Sequence, residues 1–269
     1  MFKNITLGFI GGGNMAEAII KGMIAGGTTA ETILVSEPVE ARRSFLEATY
    51  GVSTTGSNEE VVRSSETVIL AIKPQQAATV CTPLKNELSE KHLLVSIMAG
   101  VSCAAIEGFF TNSPRVIRVM PNTPSLVLAG AAAAAAGSLA TSEDMAKVEG
   151  IFSKVGCCYR IEEKLMDAVT ALSGSGPAYV LTFIEALADG GVKNGLPRDT
   201  ALNLALQTVL GTARLLAETG EHPGSLRDKV TSPGGTTIAG LHALEKGAFR
   251  ATVMNAVDAA AARSKELGK

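Results

Sequence analysis

"LGFIGGGNMAEAII", Leu7 to Ile20, decides how the first half of the chain folds. An apolar run, Ile5 to Ile10, suits a buried strand. It leads straight into Gly11-Gly12-Gly13-Asn14-Met15-Ala16, a GxGxxA pattern, and then into a helical stretch. Gly11 permits the tight turn, Gly13 lets the backbone approach a pyrophosphate, and Ala16 lets helix and strand pack closely. The free N–H groups of the helix start then face the phosphates. A plain glycine turn is the bland alternative. The flanking strand and helix favour dinucleotide binding.

Further β-branched runs follow at Ile33–Val35, Val68–Ile72, Leu93–Ile97 and Val116–Val119, separated by more polar segments. That alternation argues for right-handed βαβ units and a doubly wound sheet. One stretch conflicts with it. "GAAAAAAG", Gly130 to Gly137, has the best helix former six times over, and on propensity it reads as helix. After about residue 163 the strand signals stop. Helices are expected from Gly176 to Lys193, with Ser175 as cap and Pro177 in the first turn. Another follows "NGLP" (Asn194 to Pro197), with Ala201, Leu202, Ala205, Leu206, Val209, Leu210, Ala213 and Leu216 on one broad face and Thr219-Gly220 closing it. Two more are expected from about Thr237 to Leu244 and Ala248 to Leu267. The fold class is therefore α/β, a doubly wound sheet at residues 1–162 followed by an all-helical region at 163–269. So apolar a helical half often buries one face against a partner.

The second strand ends in Ser36-Glu37-Pro38, with Arg42-Arg43 shortly after. An acidic residue there bonds the ribose 2′-OH of NAD, whereas Ser36 with an arginine would suit the 2′-phosphate of NADP. The two signals conflict, and a solvated helix face is an equal reading of the arginines. "AIKPQ" (Ala71 to Gln75) follows the Val68–Ile72 run, where ligands lie in such sheets. Lys73 there reads as a cofactor contact before it reads as an acid. "SIMAGVS" could pass near the nicotinamide.

Composition narrows the classes. The 269 residues are 46% hydrophobic, enough for a sizeable core. The net charge of −2, with scattered basic residues and 4% aromatics, excludes nucleic acid as the main partner. Cys81, Cys103, Cys157 and Cys158 form no CxxC pair and His92, His222 and His242 are dispersed, so no metal site and no disulfide framework is expected. No signal-peptide pattern and no membrane span is read, which places the chain in the cytoplasm.

"TSPGGTTIAGLHALEKG", Thr231 to Gly247, concentrates hydroxyls and backbone freedom at the mouth of a helix. A capped turn is one reading. A pocket for a small anion is the other, since Gly234 and Gly235 would expose consecutive N–H groups beside the positive end of the helix.

In order along the chain stand "GFIGGGNMAEAI", "AIKPQ", "VSIMAGV", "RVIRVMPNTP", "LSGSGPAYV", "ALADGGVKNGLPR" and "EHPGSLRDKVTSPGGTTIAGLHALEKGAFR". Together they resemble the Δ1-pyrroline-5-carboxylate reductase family, over essentially the whole chain. "SPGGTT" and "SGSGPAY" are specific to it; the glycine loop is not. The resemblance implies a Rossmann-type N-terminal domain and a helical C-terminal dimerisation domain. It implies a homodimer, often assembled as a pentamer of dimers, with self and a small cyclic imino acid as partners. It also implies that the alanine run is a strand, against its propensity, and sheet context can override weak preference. By similarity the cofactor contacts fall on Gly11, Gly13, Asn14, Met15, Ser36 or Glu37, Asn58, Ala71, Lys73, Pro74 and Ala99. The substrate contacts fall on Ser232, Gly235, Thr236 and Thr237, with Thr237 as the catalytic residue. The cofactor is NADPH, with NADH as the alternative. Glu37 departs from the family pattern, where many NADPH users carry a small polar residue. A carboxylate would repel a 2′-phosphate of charge about −1.5 to −2.

The reaction implied is hydride transfer from nicotinamide C4 to the C=N carbon, giving proline. No His, Cys or paired carboxylate stands out as an acid, so positioning carries much of the rate. Two rivals share the glycine loop. A β-hydroxyacid-type dehydrogenase would need a lysine early in the helix that begins at Gly176. A non-catalytic nucleotide-binding protein would have no use for "SPGGTT".

Overall fold

Alternate residues of the central strands enter opposite faces of one sheet, and that alternation sets the layers. A computed structural model describes residues 6–268; Ile5, expected to open the first strand, lies outside them. The first region runs β1 (Leu7–Ile10), α1 (Asn14–Ala25), β2 (Ile33–Ser36), α2 (Glu40–Tyr50), β3 (Ser53–Thr55), α3 (Asn58–Ser64), β4 (Thr67–Leu70), α4 (Ala77–Cys81), β5 (Leu93–Ser96), α5 (Cys103–Glu107), β6 (Arg115–Met120), β7 (Gly130–Ala136), α6 (Ser142–Phe152) and β8 (Gly156–Arg160). The sheet order is β3-β2-β1-β4-β5-β6-β7-β8. Only the β6–β7 pair is antiparallel among the described strands.

Leu7 and Phe9, Ile33 and Val35, Ile69, Leu93 and Val95 face one core, closed by Ala16, Ile19 and Ile20 of α1 and by Met145, Val148 and Phe152 of α6. Ile10, Leu34, Val68, Leu70, Leu94 and Val116 face the other, closed by Val61 and Val62 of α3 and by Cys103 and Ile106 of α5. Chain order reverses between β1 and β4. In such sheets the crevice beyond the strands' carboxyl ends at that point is the ligand site.

The alanine run is strand β7, as the resemblance implied and against the propensity reading. It pairs antiparallel with β6 (Ile117 opposite Ala136) and parallel with β8 (Gly130 opposite Gly156). Ala132 and Ala134 are buried in the α6-side core. A run this short cannot repay helix nucleation, and a ladder on both sides satisfies its backbone. Strands β3 and β8 were not expected. Neither carries a β-branched apolar run, and both are edge strands.

Beyond β8 come α7 (Met166–Val169), a π-helical turn (Thr170–Gly174), α8 (Gly176–Lys193), α9 (Arg198–Thr219), α10 (Pro223–Lys229), α11 (Thr236–Lys246) and α12 (Phe249–Leu267). By packing, one compact unit comprises the residues up to Ser175 with Ala259 onward, and the second is Gly176–Asp258. The expected division at 162/163 lies just after β8. Packing keeps α7 and the π-turn with the sheet, because Met166 and Ala171 are buried there and Asn122 Nδ2 donates to the Ser173 carbonyl at 3.0 Å.

Ser175 does not cap α8. It has helical angles (φ −87°, ψ −23°), and its own N–H bonds back to Thr170 O at 2.9 Å, so the π-turn feeds α8 without a break. In the second unit Ile184 and Ala188 of α8 bury against Ala201 and Ala205 of α9. On the broad face expected for α9, Ala201 and Ala205 are thus covered, whereas Leu202, Leu206, Leu210 and Ala213 are exposed. Gly220 (φ +62°) ends α9 in the left-handed cap that its sequence required. His222 is a cap, its Nδ1 accepting the Gly224 N–H at 3.1 Å.

Candidate active site

The glycine loop follows from local sterics. Gly11 has φ +98°, and a Cβ on it would lie 2.5 Å from the Ala71 carbonyl oxygen. Its N–H donates to Ser36 O and the Ala71 N–H to Ile10 O, both at 2.9 Å, so three strand ends converge on the turn. Gly13 needs no special φ. A Cβ there would meet nothing within 4 Å, which leaves open space over the start of α1. No side chain caps that helix, so its first amides, at Asn14, Met15 and Ala16, face this space. This is the cradle a pyrophosphate fits.

Glu37 and Arg42 shape the loop from below. Glu37 Oε2 accepts the Gly12 N–H at 2.9 Å and Oε1 the Val39 N–H at 3.0 Å. Arg42 is not a solvated residue: Nε donates to Gly12 O at 2.6 Å, Nη2 to Glu17 at 2.5 Å, and the guanidinium lies 5.0 Å from the Phe45 ring centroid. Burial pushes the Glu17 carboxyl up, but the Arg42 and Tyr50 hydrogen bonds outweigh it and hold the group below its ordinary value. Arg43 Nη1 donates to the Glu37 and Pro38 carbonyls. Ser36 is buried and donates to Asn58 Oδ1. Gly11, Gly13, Ser36, Glu37, Asn58 and Ala71 therefore gather at the carboxyl ends of β1, β2 and β4.

Pro74 and Ala99 line a separate cavity of about 640 Å³ beside the β4 and β5 ends, with Gly100, Thr170 and Ser175. Lys73 is exposed, and no hydrogen bond from its ammonium is seen among the described residues. Gln75, Thr170 and Ser175 were not singled out as cofactor contacts. The π-turn that brings the last two here has no local sequence signature.

The second unit holds the Thr231–Thr237 turn. Gly234 takes φ +66°, and the Gly235 N–H donates to Ser232 O at 3.1 Å. The Gly235 amide is thus consumed inside the turn and is not one of two exposed donors. The donors aimed outward are the first-turn amides of α11, from Thr236 to Ile238. A Cβ on Gly235 would lie 2.2 Å from Ser232 Oγ, so Gly235 is what allows Ser232 to fold over the turn. Gly234 and Gly235 also line a cavity of about 660 Å³ with Arg227, His242 and Glu245. Ser232, Thr236 and Thr237 lie outside its lining; Ser232 and Thr236 are exposed and Thr237 half-buried.

A doubly wound sheet with a phosphate cradle at α1 defines the class, a dinucleotide-binding protein. Residues 6–100 match the family model described as NADP oxidoreductase coenzyme F420-dependent, and residues 163–267 match the one described as pyrroline-5-carboxylate reductase dimerisation. A pyrroline-5-carboxylate reductase of Synechocystis sp. is 53% identical over 267 residues, 99% of either chain. The structure of a pyrroline-5-carboxylate reductase from Coxiella burnetii superposes with a TM-score of 0.94 at 40% identity, covering 99% of this chain and 100% of that one. The Plasmodium falciparum pyrroline carboxylate reductase with NADP bound gives 0.88 at 37% identity, covering 100% of both. The chain belongs to the pyrroline-5-carboxylate reductase family.

Proposed function

We propose that the chain reduces 1-pyrroline-5-carboxylate to L-proline, the last step of proline synthesis, with hydride delivered to C5 of the imine and a proton to its nitrogen. Bound NADPH supplies the hydride, and NADH is accepted less well. Gly11, Gly13, Asn14 and Met15 hold the pyrophosphate, Ser36, Glu37 and Asn58 the adenosine ribose, and Ala71, Lys73, Pro74 and Ala99 the nicotinamide side. The NADP-oxidoreductase match over the glycine-loop region and the NADP-bound relative support the cofactor.

The observation that carries the substrate reading is the start of α11. The left-handed Gly234 turn leaves first-turn amides free beside the Thr237 hydroxyl, and this lies within the region matching the family's dimerisation model. The amides and the helix dipole receive the carboxylate, with Ser232, Gly235 and Thr236 shaping its seat. Thr237 hydrogen-bonds the ring nitrogen and orients the C=N carbon. The rival dehydrogenase chemistry lacks its base, because α8 carries its lysine, Lys193, only in the last turn. The working form is a cytoplasmic homodimer, assembled further as a pentamer of dimers.

Thr237→Ala tests the role. One uncharged hydrogen bond is worth about 0.5–1.5 kcal/mol, so kcat/KM falls about two- to tenfold while the NADPH Kd holds. Full activity in that variant removes Thr237 from the mechanism.

A further inference from the structure

We infer that the last turns of α12 are a built wall of the nicotinamide end of the site, held in place by a Ser264–Asp167 positioning pair. The inference rests on the cofactor reading of Pro74 and Ala99 given above.

The 640 Å³ cavity has three kinds of wall. Pro74 and Ala99 belong to the loops after β4 and β5. Thr170 and Ser175 bracket the π-turn. The remaining wall is Ser264, with Leu267 and Arg263, from the end of α12. No residue of the glycine loop lines it, so this is the end of the site away from the pyrophosphate cradle.

The last turns of α12 are tied down. Ser264 is 5% exposed, and its hydroxyl donates to Asp167 Oδ1 at 2.6 Å. Gly268 lies over the loop after β5: a Cβ on it would stand 2.8 Å from the Gly100 carbonyl oxygen, and Gly100 itself takes φ +75°. Neither contact is needed to form the sheet.

The partner Asp167 is the informative end of the pair. It sits in α7, immediately ahead of the π-turn. π-turns are uncommon and occur often at functional sites. This one is held on its far side by Asn122, through the Ser173 carbonyl. The Ser264–Asp167 bond therefore fixes two walls against each other, α12 and the turn that presents Thr170 and Ser175. Without the hydroxyl, Asp167 loses its acceptor role and both walls are released. The phosphate cradle at α1 is untouched.

The effect should appear at one end of the cofactor only. The test is titration of wild type, Ser264→Ala and Asp167→Ala with NADPH and with 2′-phospho-ADP-ribose, which lacks the nicotinamide. A hydrogen bond to a carboxylate is worth about a tenfold change, so each variant is expected to bind NADPH about tenfold more weakly and 2′-phospho-ADP-ribose within about twofold of wild type. The double variant should be no worse than either single one. Equal loss for both ligands would make the pair a general stabiliser and overturn the inference. So would unchanged NADPH binding. Failure of wild type to bind either ligand overturns the cofactor reading itself, which is a different result.

Discussion

Glu37 braces the glycine loop, and the proposed cofactor reading gives it a second duty. Its carboxylate takes the Gly12 and Val39 amides, so it braces the glycine loop before any cofactor arrives. The same negative charge stands at the end of β2, the position from which doubly wound folds read the adenosine ribose. On the proposed cofactor reading it would favour a 2′-OH and oppose a 2′-phosphate. Glu37→Ser is therefore expected to raise the ratio of NADPH to NADH kcat/KM by about tenfold, the equivalent of about 1.4 kcal/mol. An unchanged ratio would confine Glu37 to bracing the loop. Gly11 and Ala16 could be read from sequence because their constraints are local: a positive φ, and close packing of helix on strand. Arg42 could not. Its partners, Glu17 and Gly12, are 25 and 30 residues away, and only the folded loop brings them together. The turn at Gly234 was legible in composition but not in detail, since nothing local says that Ser232 O takes the Gly235 amide.

Among the elements, β7 is where local preference and fold disagree. Six alanines favour helix in isolation; the ladder to β6 and β8 and the α6-side core decide otherwise. Its bracketing glycine is essential to that decision. Gly130 opposes Gly156, which takes φ +148°, and a Cβ on Gly156 would lie 1.9 Å from Gly130 O. Gly156→Ala should therefore cost about 3 kcal/mol or more, read as a lower urea midpoint with unchanged m. A loss within about 0.5 kcal/mol, the scale of surface substitutions, would show that the β7–β8 contact yields easily. Strands β1, β2, β4, β5 and β6 were legible because parallel strands buried on both faces are continuously apolar. Edge strands β3 and β8 lack that signature, and the π-turn has none. The serine expected to cap α8 failed for that reason: the turn had already supplied helical backbone.

For the molecule as a whole, the two units divide the burial unevenly. The sheet closes a core on each face, while the second unit buries little beyond Ile184, Ala188, Ala201 and Ala205. Leu181 of α8 is 66% exposed and Leu204 of α9 is 55% exposed. Large apolar side chains left this exposed suit burial against a partner, and residues 163–267 match the family's dimerisation model, so self-association is the expected use. Light scattering should give at least a dimer, and Leu181→Asp with Leu204→Asp should shift it toward monomer. A wild-type monomer at micromolar concentration would contradict the self-association. The change of texture near residue 160 was legible. The return of α12 to the first unit was not, because helical periodicity says nothing of which unit a helix end joins.

The decisive experiment is the initial rate of NADPH oxidation, beside that of NADH, by the purified chain given 1-pyrroline-5-carboxylate. Imine-dependent oxidation with proline as product, faster with NADPH, is the expected result. A chain that binds NADPH yet oxidises neither cofactor with this imine would contradict the substrate assignment and leave the nucleotide-binding fold alone.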